Sequence, residues 1–239
     1  MTKELFELEL KKIGINLTKE ISDKIELYAD LLLEYNEKVN ITSIRNKKEV
    51  YLKHFYDSLT LAKAIDLNKK LNVLDIGSGG GFPGIVIGIV YPNLNITLLD
   101  SNHKKTDFQN YIIEKLALKN INTVNLRAED YFKVNKKYDL VVARAVANMV
   151  TLSELCIPFV KRGGYFIAMK GDFKDEIDSS LYAIETLGGR KPNIITFNLP
   201  EVNDVRNLVV VQKERDTPKG YPRKYDQILK RPLIKRDNY

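Results

Sequence analysis

The sequence predicts an α/β fold: a Rossmann-like, mostly parallel sheet of seven strands with helices on both faces, a terminal antiparallel hairpin and a helical extension at the N-terminus. Three observations predict it. Hydrophobic spacing is helical through the first 70 residues and then changes to short apolar runs alternating with helical patterns. The first of those runs ends in a glycine-rich turn, Asp75-Ile-Gly-Ser-Gly-Gly-Gly-Phe-Pro-Gly84. The last two runs have no helix between them, so they pair antiparallel, because a parallel pair needs a long crossover.

Each element has its own signal. Leu5, Leu8 and Ile13 predict a first helix over 4–13 that stops at Gly14. Thr18 is placed to cap a longer helix carrying Ile21, Ile25, Tyr28, Leu32 and Tyr35 at helical spacing. Val50, Phe55, Leu59, Ala62 and Ile65 predict a third helix over 48–65. Strands are expected at Leu71–Ile76, Asn95–Leu99, Ile121–Leu126, Asp139–Ala143, Gly164–Met169, Asn193–Asn198 and Asn207–Gln212. Between them come helices at Gly84–Tyr91, Lys104–Ala117, near Met149–Val160 and at Lys174–Leu187. Alternation of this kind gives a parallel sheet covered on both faces. With the closing hairpin it is the arrangement expected of a class I S-adenosylmethionine-dependent methyltransferase. The chain divides accordingly into a helical extension (1–70), a methyltransferase domain (71–213) and a basic tail (214–239). In the tail Pro218, Pro222 and Pro232 argue against a helix.

Composition narrows the class. At 239 residues with 44% hydrophobic and 29% charged content, the chain supports a packed core. Its longest apolar stretch, Ile85 to Tyr91, is far too short to span a bilayer, and the charged N-terminus lacks the apolar region of a signal peptide. Cys156 is the only cysteine, which fits a reducing cytoplasm, and His54 and His103 give no metal-ligand spacing, so no metal is expected. Net charge is +7 and uneven: residues 1–70 hold thirteen Lys/Arg against twelve Asp/Glu, whereas residues 213–239 hold nine against four. A basic tail points to a polyanionic partner, nucleic acid first. Its Lys and Arg would neutralise phosphates, and Tyr221, Tyr225 or Tyr239 could stack on a base.

The glycine turn admits two cofactors. Counted from Gly77, the dinucleotide pattern G-x-G-x-x-G fails at Phe82. Counted from Gly79 it fits, but it starts three residues past the strand, and Pro83 removes an N–H where a phosphate would want one. S-adenosylmethionine needs no phosphate site. Asp75 before the turn and Asp100, 23 residues after Gly77, suit its polar contacts, with Asp100 placed for the ribose hydroxyls. The spacing favours S-adenosylmethionine over a nicotinamide cofactor. The competing functions are a nicotinamide-dependent oxidoreductase and a non-catalytic RNA-binding module on the same fold. Arg144, at the C-terminal end of the fourth strand, lies where open α/β sheets place ligands. It needs a partner there: a cofactor carboxylate, RNA or a nearby acid.

Together these residues resemble a known family. The glycine turn with its Gly-Phe-Pro-Gly extension resembles the motif of the bacterial 16S ribosomal RNA guanine-N7 methyltransferases, the RsmG family. Tyr35-Asn-Glu-Lys-Val-Asn-Ile-Thr42, His54-Phe-Tyr-Asp-Ser-Leu59, Asp100-Ser101 with Lys104-Lys105, Arg127-Ala-Glu129, Arg144-Ala-Val-Ala147, Tyr221-Pro-Arg-Lys224 and Arg231-Pro-Leu233 are similar to its other segments, in order. The tail departs from the family where Tyr225-Asp-Gln replaces Gly-Thr-Pro. The resemblance implies S-adenosyl-L-methionine as methyl donor and N7 of a guanine in the decoding-region loop of 16S ribosomal RNA as acceptor. The partner is then that RNA or the small ribosomal subunit, with the enzyme a cytoplasmic monomer that uses no membrane. It also implies Gly77, Phe82, Asp100, Ala128, Glu129 and Arg144 at the cofactor, and Arg144, Lys104 and Arg127 in the catalytic or RNA-facing set. Guanine N7 carries no proton, so the reaction requires alignment rather than a general base. That suits a sequence with no Ser/His/Asp arrangement.

Overall fold

The computed structural model describes residues 1–171 and 176–235. Helices α1 (Lys3–Lys12) and α2 (Lys19–Lys38) open the chain, with Thr2 and Thr18 accepting hydrogen bonds from the Leu5 and Ile21 amides as N-caps. Ile25, Tyr28 and Leu32 form the buried stripe of α2, as their spacing predicts. In α1 the buried face is Phe6 and Leu10, and Leu8 lies 52% exposed. Leu5 and Ile13 pack partly buried against the same core, so Leu8 alone of the three expected positions faces outward. The third helical segment is continuous but mixed: α3 (Lys47–Glu49), a π-helical stretch (Val50–Tyr56), α4 (Asp57–Leu59) and a 3-10 turn (Thr60–Lys63).

Seven strands follow: β1 (Asn72–Ile76), β2 (Asn95–Leu99), β3 (Ile121–Val124), β4 (Tyr138–Arg144), β5 (Val160–Lys170), β6 (Asn193–Asn198) and β7 (Val205–Gln212). They form one sheet in the order β3-β2-β1-β4-β5-β7-β6. The first five pair in parallel, and β7 pairs antiparallel with both β5 and β6. The strand order reverses between β1 and β4, the switch point at which such sheets open a crevice. Val73, Leu74, Leu140, Val141, Phe166 and Ile167 are wholly buried, as strands covered on both faces require. One face packs α5 (Gly84–Val90), α6 (His103–Lys115) and the N-terminal helices in a shared core. The other packs α8 (Met149–Cys156) and α9 (Glu176–Thr186).

Further differences from expectation lie in the connecting elements and the tail. A short helix α7 (Ala128–Tyr131) follows β3, where the apolar spacing gave no helical signal. Strand β5 begins at Val160, because the preceding helix ends in a 3-10 turn at Ile157–Phe159. The tail forms a helix α10 (Tyr225–Lys230), since Pro222 and Pro232 flank that segment rather than interrupt it. Lys174, expected to open α9, and Tyr239 lie outside the described residues.

Candidate active site

The glycine turn is shaped from beneath. Gly77, Gly79 and Gly81 have φ of +68°, +55° and +89°, the left-handed region that favours glycine. A Cβ on Gly77 would also stand 2.6 Å from Val146 Cγ2. Asp75 is wholly buried, and its Oδ2 accepts the Gly84 amide at 2.8 Å. Burial pushes its carboxyl up to about 7. The amide that opens α5 is thus taken by the protein's own acid, at the position where a dinucleotide would place its pyrophosphate. Gln109 Nε2 donates to Ser78 Oγ at 2.9 Å and to the Gly79 carbonyl at 2.7 Å, and Tyr28 donates to the Gly80 carbonyl. Of the two acids the sequence sets beside the turn, Asp75 braces it from inside and Asp100 reaches the surface of a cleft.

That cleft, about 230 Å3, lies over the C-terminal ends of β1, β2 and β3. Gly77, Asp100, Arg127, Ala128 and Glu129 all line it, with Leu99, Val146 and Leu155 supplying apolar wall. Asp100 is oriented by the amides of Gly79 and Asn102, at 2.8 and 2.9 Å to its two oxygens. Glu129 Oε1 accepts the Tyr225 amide at 3.2 Å. Its walls and carboxylates suit a neutral, hydroxyl-bearing nucleoside; a pyrophosphate would meet Asp100 and Glu129 instead of a nest of donors.

A second cleft, about 470 Å3, lies over β4, β5 and β7. Arg144 is at its centre. Its Nη1 donates to the Lys53 carbonyl at 2.8 Å and to Asp57 Oδ2 at 3.1 Å, while Nη2 lies 3.2 Å from His54 Nδ1. Asp57, 5% exposed, also faces Arg206 Nε at 3.4 Å, so one carboxylate holds two guanidinium groups. His54 is pushed down to about 3 by burial, with the Arg144 charge adding to the effect. The neutral ring accepts at Nδ1 and turns Nε2 toward Thr42 Oγ1, 2.9 Å away. Phe82 lies beneath this group: its ring stacks on His54 with centroids 4.1 Å apart, and the Arg144 guanidinium sits 5.2 Å from its centroid.

The structure therefore divides the residues singled out from sequence. Gly77, Asp100, Arg127, Ala128 and Glu129 share the first cleft, whereas Phe82 and Arg144 belong with the second. Lys104 lines neither; it is exposed on the first turn of α6, with its amide held by Asn102 Oδ1 at 3.0 Å. The clefts meet at one segment. Arg144 and Ala145 line the second, Val146 lines the first, and Ala145 has φ of +55°, a conformation rare for alanine. Sequence reasoning missed Asp57, Lys170 and Arg206 as members of the second cleft and gave no role to His54. His54 and Asp57 did leave a trace, in the segment His54-Phe-Tyr-Asp-Ser-Leu59 that resembles the family. Arg206, at the edge of a hairpin strand, left none.

The family model described as rRNA small subunit methyltransferase G matches residues 21–208. The chain belongs to that family. A ribosomal RNA small subunit methyltransferase G from Acetivibrio thermocellus is 46% identical, over 95% of this chain and 98% of its own. One from Bacillus cereus is 44% identical over 98% and 100%. Among solved structures, a precorrin-6y C5,15-methyltransferase from Geobacter metallireducens superimposes with a TM-score of 0.54 at 16% identity, covering 73% of this chain and 92% of its own. A SAM-dependent O-methyltransferase from Thermotoga maritima does so at 0.54 and 15%, covering 78% and 73%. At such identities the likeness concerns the fold alone, and that fold is the class I methyltransferase sheet. The family match spans the glycine turn, the second cleft, the segment between the clefts and all of the first cleft except Tyr225.

Proposed function

We propose that this protein transfers a methyl group from S-adenosylmethionine to N7 of a guanine in the decoding-region loop of 16S ribosomal RNA. The observation that carries the reading is the pair of clefts meeting at Arg144-Ala145-Val146, on the edge of the sheet where the strand order reverses. A methyl transfer needs two neighbouring sites, one for donor and one for acceptor, open to each other at a single wall. Membership of the rRNA small subunit methyltransferase G family supplies the substrate class.

When bound, S-adenosylmethionine supplies an electrophilic methyl group on a sulfonium. In the first cleft Asp100 is oriented to accept ribose hydroxyls, Ala128 and Glu129 edge the adenine end, and Gly77 leaves the backbone bare for close approach. The second cleft suits an acceptor with no proton to lose. Asp57 is committed to two arginines, and His54 Nδ1 faces Arg144, so neither is free as a general base. Arg144, Arg206, Lys53 and Lys170 give this cleft a cationic lining that suits a nucleotide's phosphate. Catalysis then rests on holding N7, methyl carbon and sulfur in line. In this reading residues 1–70 extend the walls of the second cleft through Lys53, His54 and Asp57, and Arg127 and Lys104 flank the path of the RNA.

A nicotinamide enzyme is disfavoured by the occupied amide at the start of α5. In this reading the protein works in the cytoplasm as a monomer, on the RNA or the small subunit. Among the described residues, no helix is long and apolar enough to cross a membrane. The test is transfer of labelled methyl by purified protein to small-subunit RNA, followed by nuclease digestion. Label in N7-methylguanine is expected; label in another nucleoside, or none, contradicts the reading.

A further inference from the structure

The C-terminal tail contributes a side chain to the first cleft. Tyr225 lines it together with Leu126, Ala128 and Leu155. The Arg127 guanidinium lies 5.9 Å from the Tyr225 ring centroid, and the Tyr225 amide donates to Glu129 at 3.2 Å. The tyrosine is thus held on two sides by the segment that follows β3.

The tail is also firmly anchored on either side of this residue. Arg223 gives Glu154 three hydrogen bonds: its amide and Nε reach Oε1 at 2.9 and 2.8 Å, and Nη2 reaches Oε2 at 2.6 Å. The Glu154 side chain is only 1% exposed, so leaving it unpaired would be costly. Three residues past Tyr225, Ile228 is wholly buried in the core beneath α8 and β5.

We propose that Tyr225 is a cofactor-binding residue whose ring packs against the adenine of S-adenosylmethionine, making the tail part of the cofactor site. The proposal rests on the reading that the cleft over β1, β2 and β3 holds that cofactor. A purine presents flat, apolar faces, and an aromatic wall gains affinity from them without a hydrogen-bond donor. Asp100 supplies the polar contact in the same cleft. A ring committed to this wall is not available to stack on an RNA base, which separates this role from that of a nucleic-acid platform.

The experiment is calorimetric titration of the full-length protein with S-adenosylhomocysteine and with 5′-methylthioadenosine, which keeps the adenine but lacks the amino-acid end. Tyr225→Ala is expected to weaken both ligands about tenfold, and Tyr225→Phe to stay within about twofold of the unaltered protein. Tyr225→Leu, which keeps apolar bulk against the body, is expected to show a smaller loss for both ligands. Full affinity in a folded Tyr225→Ala or Tyr225→Leu variant would overturn the proposal. Asp100→Ala, measured alongside, identifies what failed. If it weakens binding while the Tyr225 variants do not, the cleft holds the cofactor and Tyr225 has no part in it. If none of them weakens binding, the assignment of the cleft falls as well.

Discussion

At the scale of single residues, several charged groups are held in unusual surroundings. Arg144 is fixed by Lys53, Asp57 and His54 and lies over Phe82. Arg144→Ala should lower methyl transfer by at least about a hundredfold, the order expected for loss of a positioned charge, with an unchanged circular dichroism spectrum. Near-normal turnover in that variant would remove Arg144 from the site. Asp75 makes a prediction about pH. Its carboxyl rises from an ordinary 3.8 to about 7 on folding, so the folded chain holds the proton more tightly. The stability this gives is complete below about pH 4 and is lost as pH rises through about 7. His54 acts in the opposite sense: its folded value of about 3, against 6.5, favours the folded chain above about pH 6.5 and is lost as pH falls toward 3. Asp75→Asn keeps an acceptor for the Gly84 amide but cannot ionise. Its stability relative to the unaltered protein, read from urea unfolding, should therefore improve between pH 5 and pH 8 (both about). A relative stability that does not change with pH would show that Asp75 is not the buried titrating acid. None of this was legible from sequence, where Asp75 and Asp100 look like equivalent acids on either side of one turn.

At the scale of elements, the periodic segments were the most readable. The stripe of α2, the limits of β2 and β6 and the antiparallel closing hairpin follow directly from spacing. Short elements were not readable, because a single helical turn such as α7 is fixed by what it packs against rather than by its own pattern. Helix α10 is the same case: its single wholly buried residue, Ile228, gives no period to detect. The glycine turn is the element whose sequence and geometry match most closely, and it yields a sharp prediction. Gly77→Ala forces a left-handed alanine and sets its Cβ 2.6 Å from Val146. Binding of S-adenosylhomocysteine should be lost, and adding Val146→Ala should restore it only in part, because the backbone strain persists. Full recovery in the double variant would mean that crowding alone is at stake. The tail anchor gives another. Arg223→Ala removes both side-chain hydrogen bonds and the charge that pair with buried Glu154, leaving only the backbone amide, and should cost about 3 kcal/mol in equilibrium unfolding. A loss below about 0.5 kcal/mol, in the range of an exposed pair, would mean that the tail is not locked by that pair.

At the scale of the whole molecule, the chain brings together three stretches that are far apart in sequence. The second cleft draws Lys53, His54 and Asp57 from the N-terminal helices, Arg144 from β4 and Arg206 from β7. The first draws the glycine turn, the ends of β2 and β3 and the tail. The fold class and the residues gathered in the first cleft were legible because each rests on local pattern: alternating elements, a glycine turn, and an acid at the end of the second strand. The lining of the second cleft was not, because Asp57 and Arg206 meet only when the N-terminal helices pack across the sheet edge. Arg206→Ala should accordingly weaken small-subunit RNA binding and flatten its salt dependence while leaving S-adenosylhomocysteine affinity intact. Equal loss of both would mean that the clefts are not separate sites. The central claim, that this paired site methylates one guanine of ribosomal RNA, is tested most directly by mapping N7-methylguanine in 16S RNA. The cells compared should carry the gene, lack it, or be complemented with the Arg144→Ala variant. We expect a single N7-methylguanine to disappear without the gene, return with the unaltered protein and stay absent with the variant. An unchanged methylation map in cells lacking the gene would contradict the account.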